Sequence, residues 1–132
     1  QRMHMTDLIN NRSAQEINEL IQKYASVLEV SGLRTLPDVQ KFAIIIDIAV
    51  NYIKDWHNDL TTDWKAWSIL IIKNQYHNKK INSESDIIQT INDFVKSWKE
   101  NYKTYCDNLG MYASEYDRDR GFVYDYLTKK NR

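Results

Sequence analysis

Three glycines and one proline are all that punctuate this chain of 132 residues. A β-sandwich or barrel needs a turn roughly every 8 to 12 residues, and its turns draw on Gly for positive φ and on Pro for a preset φ. A chain so poor in both is expected to be built from helices. Hydrophobic residues make up 42% of it and charged residues 27%, a balance that supplies a packed core and excludes an intrinsically disordered or collagenous chain. Surface scaling at this length predicts a single domain, residues 6–132. Residues 1–5 read as a cloning remnant ahead of a native start at Met5.

Charge and cysteine narrow the functional classes. Eighteen Lys and Arg balance eighteen Asp and Glu, so the chain lacks the overall positive field of a general nucleic-acid coat. One cysteine, Cys106, cannot close an internal disulfide, and no Cys/His set has zinc spacing. A reducing, cytoplasmic compartment is the corresponding expectation. The longest apolar run, Phe42 to Val50, is interrupted by Asp47 and falls short of a membrane span, so no membrane partner is expected. Richness in Ile, Asn, Lys, Asp and Tyr points to AT-rich coding, as in a virus, a mobile element or an AT-rich microbe.

Local signals divide the chain into helices. Ser13 and Glu16 have the spacing of a capping box. From there Ile17, Leu20, Ile21, Tyr24, Val27 and Leu28 share one helical face, and Gly32 suits the left-handed position past the end. Pro37 and Asp38 belong in the first turn of a second helix that runs to about Trp56. Ile44 and Ile48 fall on its otherwise polar side, so that side is either covered within the bundle or contacts another chain. A third helix is expected over residues 64–76; its run from Ala66 to Ile72 also fits a buried strand, but no second strand exists to pair with it. Ser83 and Asp86 open a fourth helix with a clean stripe from Ile87 to Leu109, about 39 Å long at 1.5 Å per residue. It ends at Gly110, with Ser114 capping a fifth helix, or continues bent to residue 128. The architecture predicted is an all-α compact bundle of four to five helices with a long C-terminal helical element.

No phosphate loop, HExxH, nucleophile elbow, EF-hand or CxxC pair is present, so no catalytic residue and no cofactor is assigned. Asp55, His57, Asp59 and Asp63 could gather around a divalent ion, but they follow no fixed ligand spacing, and His57 also fits the capped end of helix two; no metal site is assigned. Cys106 reads as a small core hydrophobe. Asp47, set among isoleucines, reads as riding at the polar margin near Asn51 and Lys54.

Two surfaces remain. Nine tyrosines and four tryptophans are many for a neutral chain of this size. Tyr112, Tyr116, Tyr124 and Tyr126 interleave with Arg118, Arg120 and several acids, the composition of protein-binding hot spots. These six residues are the expected contact to a protein partner, and Ile44 and Ile48 the expected contact in a homodimer. The alternative is nucleic-acid binding by the basic stretch Lys73–Lys80, with Lys73, Lys79 and Lys80 on phosphates, Tyr76 stacking on a base, and Lys96, Lys99 and Lys103 extending the patch. The leading expectation is a non-enzymatic interaction protein of inhibitor, immunity or adaptor type.

Overall fold

The structure is a computed structural model that describes residues 4–56, 62–108 and 113–129, without the side chains of residues 55, 56, 63, 98–108, 113, 114, 116 and 129. Among the described residues are seven helices: α1 (Met5–Asn10), α2 (Ala14–Lys23), α3 (Ala25–Glu29), α4 (Leu36–Trp56), α5 (Thr62–His77), α6 (Glu84–Asn108) and α7 (Ala113–Lys129). The only pairing of strand type among these residues is an isolated bridge between His4 and Ser83. The chain is therefore an all-α bundle.

The centre of the bundle is α5. Trp64 is buried, as is every residue from Ala66 to Lys73. A helix with no polar face has to be enclosed on all sides, and α4, α6 and α7 pack around this one. Enclosure decides between helix and strand for Ala66–Ile72. The helix satisfies its own backbone groups, and Ser68 returns its hydroxyl to the carbonyl of Trp64 at 3.1 Å. Phe42, Ile45, Ile46, Ala49 and Ile53 of α4 meet Ile69, Leu70 and Ile72 of α5 and Ile87, Ile91 and Phe94 of α6 in one continuous core.

Helix ends follow their local chemistry. The Ser13 hydroxyl accepts from the Glu16 amide at 3.1 Å, and the Glu16 carboxylate accepts from the Ser13 amide at 3.3 Å, a complete capping box. Thr35 caps α4 through the amide of Asp38 at 3.3 Å. Gly32 takes φ +74°, a conformation strained for any residue with a Cβ. At the start of α6 the box is shifted by one position: Asp86 donates its amide to Ser83 Oγ, while its carboxylate accepts from the amide of Asn82 rather than of Ser83.

Three features differ from expectation. First, residues 5–10, ahead of the first helix expected, form α1. Met5 donates its amide to the carbonyl of Asn82 at 3.1 Å, and Leu8 buries against Ile17 and Ile44. Second, the helix that opens at Ser13 breaks at Tyr24, where φ is −105° and ψ 22°; the break turns α3 onto α7. Third, Ile44 is not available to a second chain. It is 0% exposed, covered by Leu8 and Ile17, and Ile48 is half-buried beside it. The extra isoleucine face of α4 is thus the seat of α1 and α2, and a homodimer contact at Ile44 is ruled out by that cover.

One buried ion pair joins three elements. Lys73 at the C-terminal part of α5 donates to Asp119 of α7 at 2.7 Å and to the carbonyl of Val30, just past α3, at 3.2 Å. The side chains are 11% and 2% exposed. Arg118 reaches the other Asp119 oxygen from the solvent side at 3.2 Å. Removing one member leaves the other charge buried without a partner, which costs far more than replacing both. Asp119→Ala should therefore lower the unfolding free energy by about 3 kcal/mol. The double change Lys73→Met/Asp119→Leu should cost much less, with urea denaturation as the measurement for both.

Candidate interaction surface

Helix α7 presents two unlike faces. Its inner face carries Asp119, Val123, Tyr126 and Leu127 toward α5 and α3. Tyr126 packs its ring against that of Tyr24 with centroids 5.6 Å apart. Tyr24 in turn donates its hydroxyl to Asp47 of α4 at 2.5 Å. Asp47 is therefore a half-buried acceptor for the Tyr24 hydroxyl, inside the bundle rather than at an open polar margin. The buried Tyr24, held between α4 and α7, stands at the position where α2 ends and α3 begins.

The outer face is aromatic and charged. Phe122 and Tyr124 are each 38% exposed, and Asp117, Arg118 and Asp125 are exposed around them. Arg118 keeps a side chain 68% exposed although its guanidinium touches Asp119. Arg120 leans on Asp117 at 3.8 Å, one turn away. Around the helix axis Gly121 falls between the directions of Phe122 and Tyr124. A Cβ placed there would meet nothing within 4 Å, so no internal close approach accounts for a residue that costs about 1 kcal/mol in a helix interior. A bare stretch of backbone flanked by two exposed rings admits close approach by another surface, with the rings as its anchors.

Set against the sequence expectations, Arg118 and Tyr124 lie on this outer face and Arg120 at its edge. Tyr126 does not: it turns inward onto Tyr24. Tyr112 and the side chain of Tyr116 lie outside the described residues. Phe122 is the aromatic that sequence reasoning passed over. Its signal was available, because it falls a full 100° from Val123, off the stripe that Val123 and Leu127 define.

The basic stretch is divided by the fold. Lys73 is drawn into the core pair with Asp119, so it contributes no phosphate contact at the surface. Tyr76 packs its ring on Phe42 with centroids 5.3 Å apart and donates its hydroxyl to Asp38 at 3.1 Å, which removes it as a free stacking platform. Lys79 and Lys80 are exposed, as is Lys96 on α6; the side chains of Lys99 and Lys103 lie outside the described residues. His57 and Asp59, and the side chains of Asp55, Asp63 and Cys106, also lie outside them. Among the described residues no group of three or more His, Cys, Asp or Glu is placed to hold a metal, and no helix is long and apolar enough to cross a membrane.

Fold and surface together define a small all-α bundle whose last helix carries an exposed aromatic and charged face. No family model, curated protein or solved structure matches the chain.

The tyrosine network ties stability to alkali. Burial, reinforced by Asp47, pushes the Tyr24 hydroxyl far above the ordinary tyrosine range, and burial together with the Asp47 charge pushes Tyr126 up to about 12. Burial and the bond to Asp38 likewise raise Tyr76. An acid whose folded pKa is raised contributes stability that is complete below its unfolded value near 10 and is lost as pH climbs through the folded value. Stability should fall steeply between about pH 10 and 12. Absorbance at 295 nm should show these tyrosines ionising together with unfolding, and Tyr126→Phe should blunt the loss. Independently, Gly121→Ala should raise the unfolding free energy by about 0.5–1 kcal/mol, measured as a higher urea midpoint at unchanged slope.

Proposed function

We propose that this chain is a non-enzymatic interaction module of inhibitor, immunity or adaptor type that binds a protein partner through the outer face of α7. The observation that carries the reading is the trio of Phe122, Gly121 and Tyr124, directed away from the core with Arg118 and Asp125 alongside. Exposed aromatics beside an arginine are the residue types that dominate binding energy in protein interfaces. Their scaffold is rigid, since the inner face of the same helix is fixed by the Lys73–Asp119 pair and by the packing of Tyr126 on Tyr24. Rigid display limits the conformational entropy lost on association.

The test uses the whole chain as bait in an extract of its native host, against a Phe122→Ser/Tyr124→Ser variant whose helical circular dichroism matches the parent. The parent should retain a protein that the variant loses, by about 2 kcal/mol or more in a binding titration of the identified partner. Equal retention by both, or no specific retention by the parent, overturns the proposal.

A further inference from the structure

A second site lies on another part of the molecule, among α1, the N-terminal turns of α4 and the C-terminal end of α5. It is a groove of about 380 Å³ that no residue of α7 lines. Two lysines and a histidine from separate parts of the chain line it: Lys41 of α4, His77 of α5 and Lys79 just past α5. Leu33 and Ile81 give it an apolar wall, and Asp38 and Tyr76 contribute one carboxylate and one hydroxyl.

Lys79 is the residue that turns this groove from a surface feature into a site. It is the one non-glycine residue with positive φ among the described residues, at 59°. Its amide donates to the carbonyl of Tyr76 at 3.0 Å and the next amide, of Lys80, donates to Gln75 at 2.9 Å. That pair of bonds is the Schellman ending of a helix, and Lys79 occupies the left-handed position that glycine fills without strain. A side chain there is held against a steric penalty. Strain of this kind points to a use for the side chain, and Lys79 is one of the residues that line the groove.

The remaining contacts set what the groove would take. Lys41 and Lys79 offer two compact positive charges, which suit a doubly charged phosphate better than a singly charged carboxylate. His77 brings its Nε2 to 2.5 Å from the carbonyl of Ser31. A carbonyl only accepts, so Nε2 carries the hydrogen and the ring is held at the rim with Nδ1 left over. Asp38 would repel a bare polyanion. It accepts one bond from Tyr76 at 3.1 Å and has acceptor capacity left for a donor on the ligand. The Leu33 and Ile81 wall accommodates an apolar or planar portion.

We propose that this groove binds a small organic phosphate monoester that carries a hydroxyl or amino donor, of the nucleoside monophosphate class. Lys41 and Lys79 hold the phosphate, Asp38 takes the donor, and Leu33 and Ile81 pack on the rest. The site is independent of the α7 face, and either assignment stands if the other fails.

Isothermal titration calorimetry of the full chain at low ionic strength tests it, with adenosine 5′-monophosphate, adenosine and inorganic phosphate as probes. The monophosphate should bind, lose affinity with added salt, and bind at least about tenfold more tightly than either adenosine or inorganic phosphate. Lys79→Gly is the decisive variant because it removes the charge and the strain together. Its melting temperature should rise by about 3–5 °C while affinity for the monophosphate falls about tenfold. Lys41→Ala should weaken binding to a similar extent. Unchanged affinity in Lys79→Gly, or adenosine binding as tightly as its monophosphate, overturns the site. Inorganic phosphate binding as tightly as the monophosphate overturns the organic-ester assignment.

Discussion

The enclosure of α5 governs the rest of the molecule. Eight consecutive buried residues, Ala66–Lys73, leave that helix no side on which water is tolerated. Its neighbours α4, α6 and α7 are arranged by that requirement. The last of the eight is a lysine, and a lysine carried into a core demands an opposite charge at hydrogen-bonding distance. Asp119 supplies it and in doing so fixes the rotation of α7 about its own axis. Once Asp119, Val123 and Tyr126 point inward, the helical period leaves Arg118, Phe122, Tyr124 and Asp125 pointing outward. The exposed aromatic face thus follows from the way one charge in the core is neutralised.

Much of this bundle was legible in the sequence, and the parts that were not share a cause. The helices α4 and α6, the capping box at Ser13 and the left-handed Gly32 are written in local pattern, which a periodic reading recovers, whereas Ala66–Ile72 of α5 also fits a strand until its enclosure is known. The misread positions depend on contacts distant in the chain. No helix is expected ahead of Ser13, and α1 is held in place by the bond from Met5 to Asn82 and by Leu8 against Ile17 and Ile44. The same contact explains Ile44: an isoleucine on a polar side looks like an interface until a segment some 36 residues earlier covers it. Lys73 heads a basic stretch in the sequence, yet its partner lies 46 residues away on α7. Tyr24 looks like one more stripe residue, and its bond to Asp47 is made across 23 residues of chain that no periodic pattern spans.

Two positions forgo local stability, and each borders one of the two exposed features. Gly121 weakens an exposed helix interior where no neighbour requires its absent side chain. Lys79 keeps a side chain where the backbone favours none. Elsewhere local preference and tertiary packing agree closely, as in the Ser13 cap and the buried α5. Disagreement between the two levels tends to gather where a surface serves something other than folding.

The bond from Met5 to Asn82 also imposes an order of events on a chain made from one end. While the polypeptide is being synthesised, Leu8 can meet Ile17 and Ile44 as soon as α4 has emerged, but the amide of Met5 has no acceptor until Asn82 follows. During that interval α1 rests on α4 by its apolar contacts alone. The arrival of residues 81–83 therefore anchors α1 and closes the Met5 rim of the lysine groove.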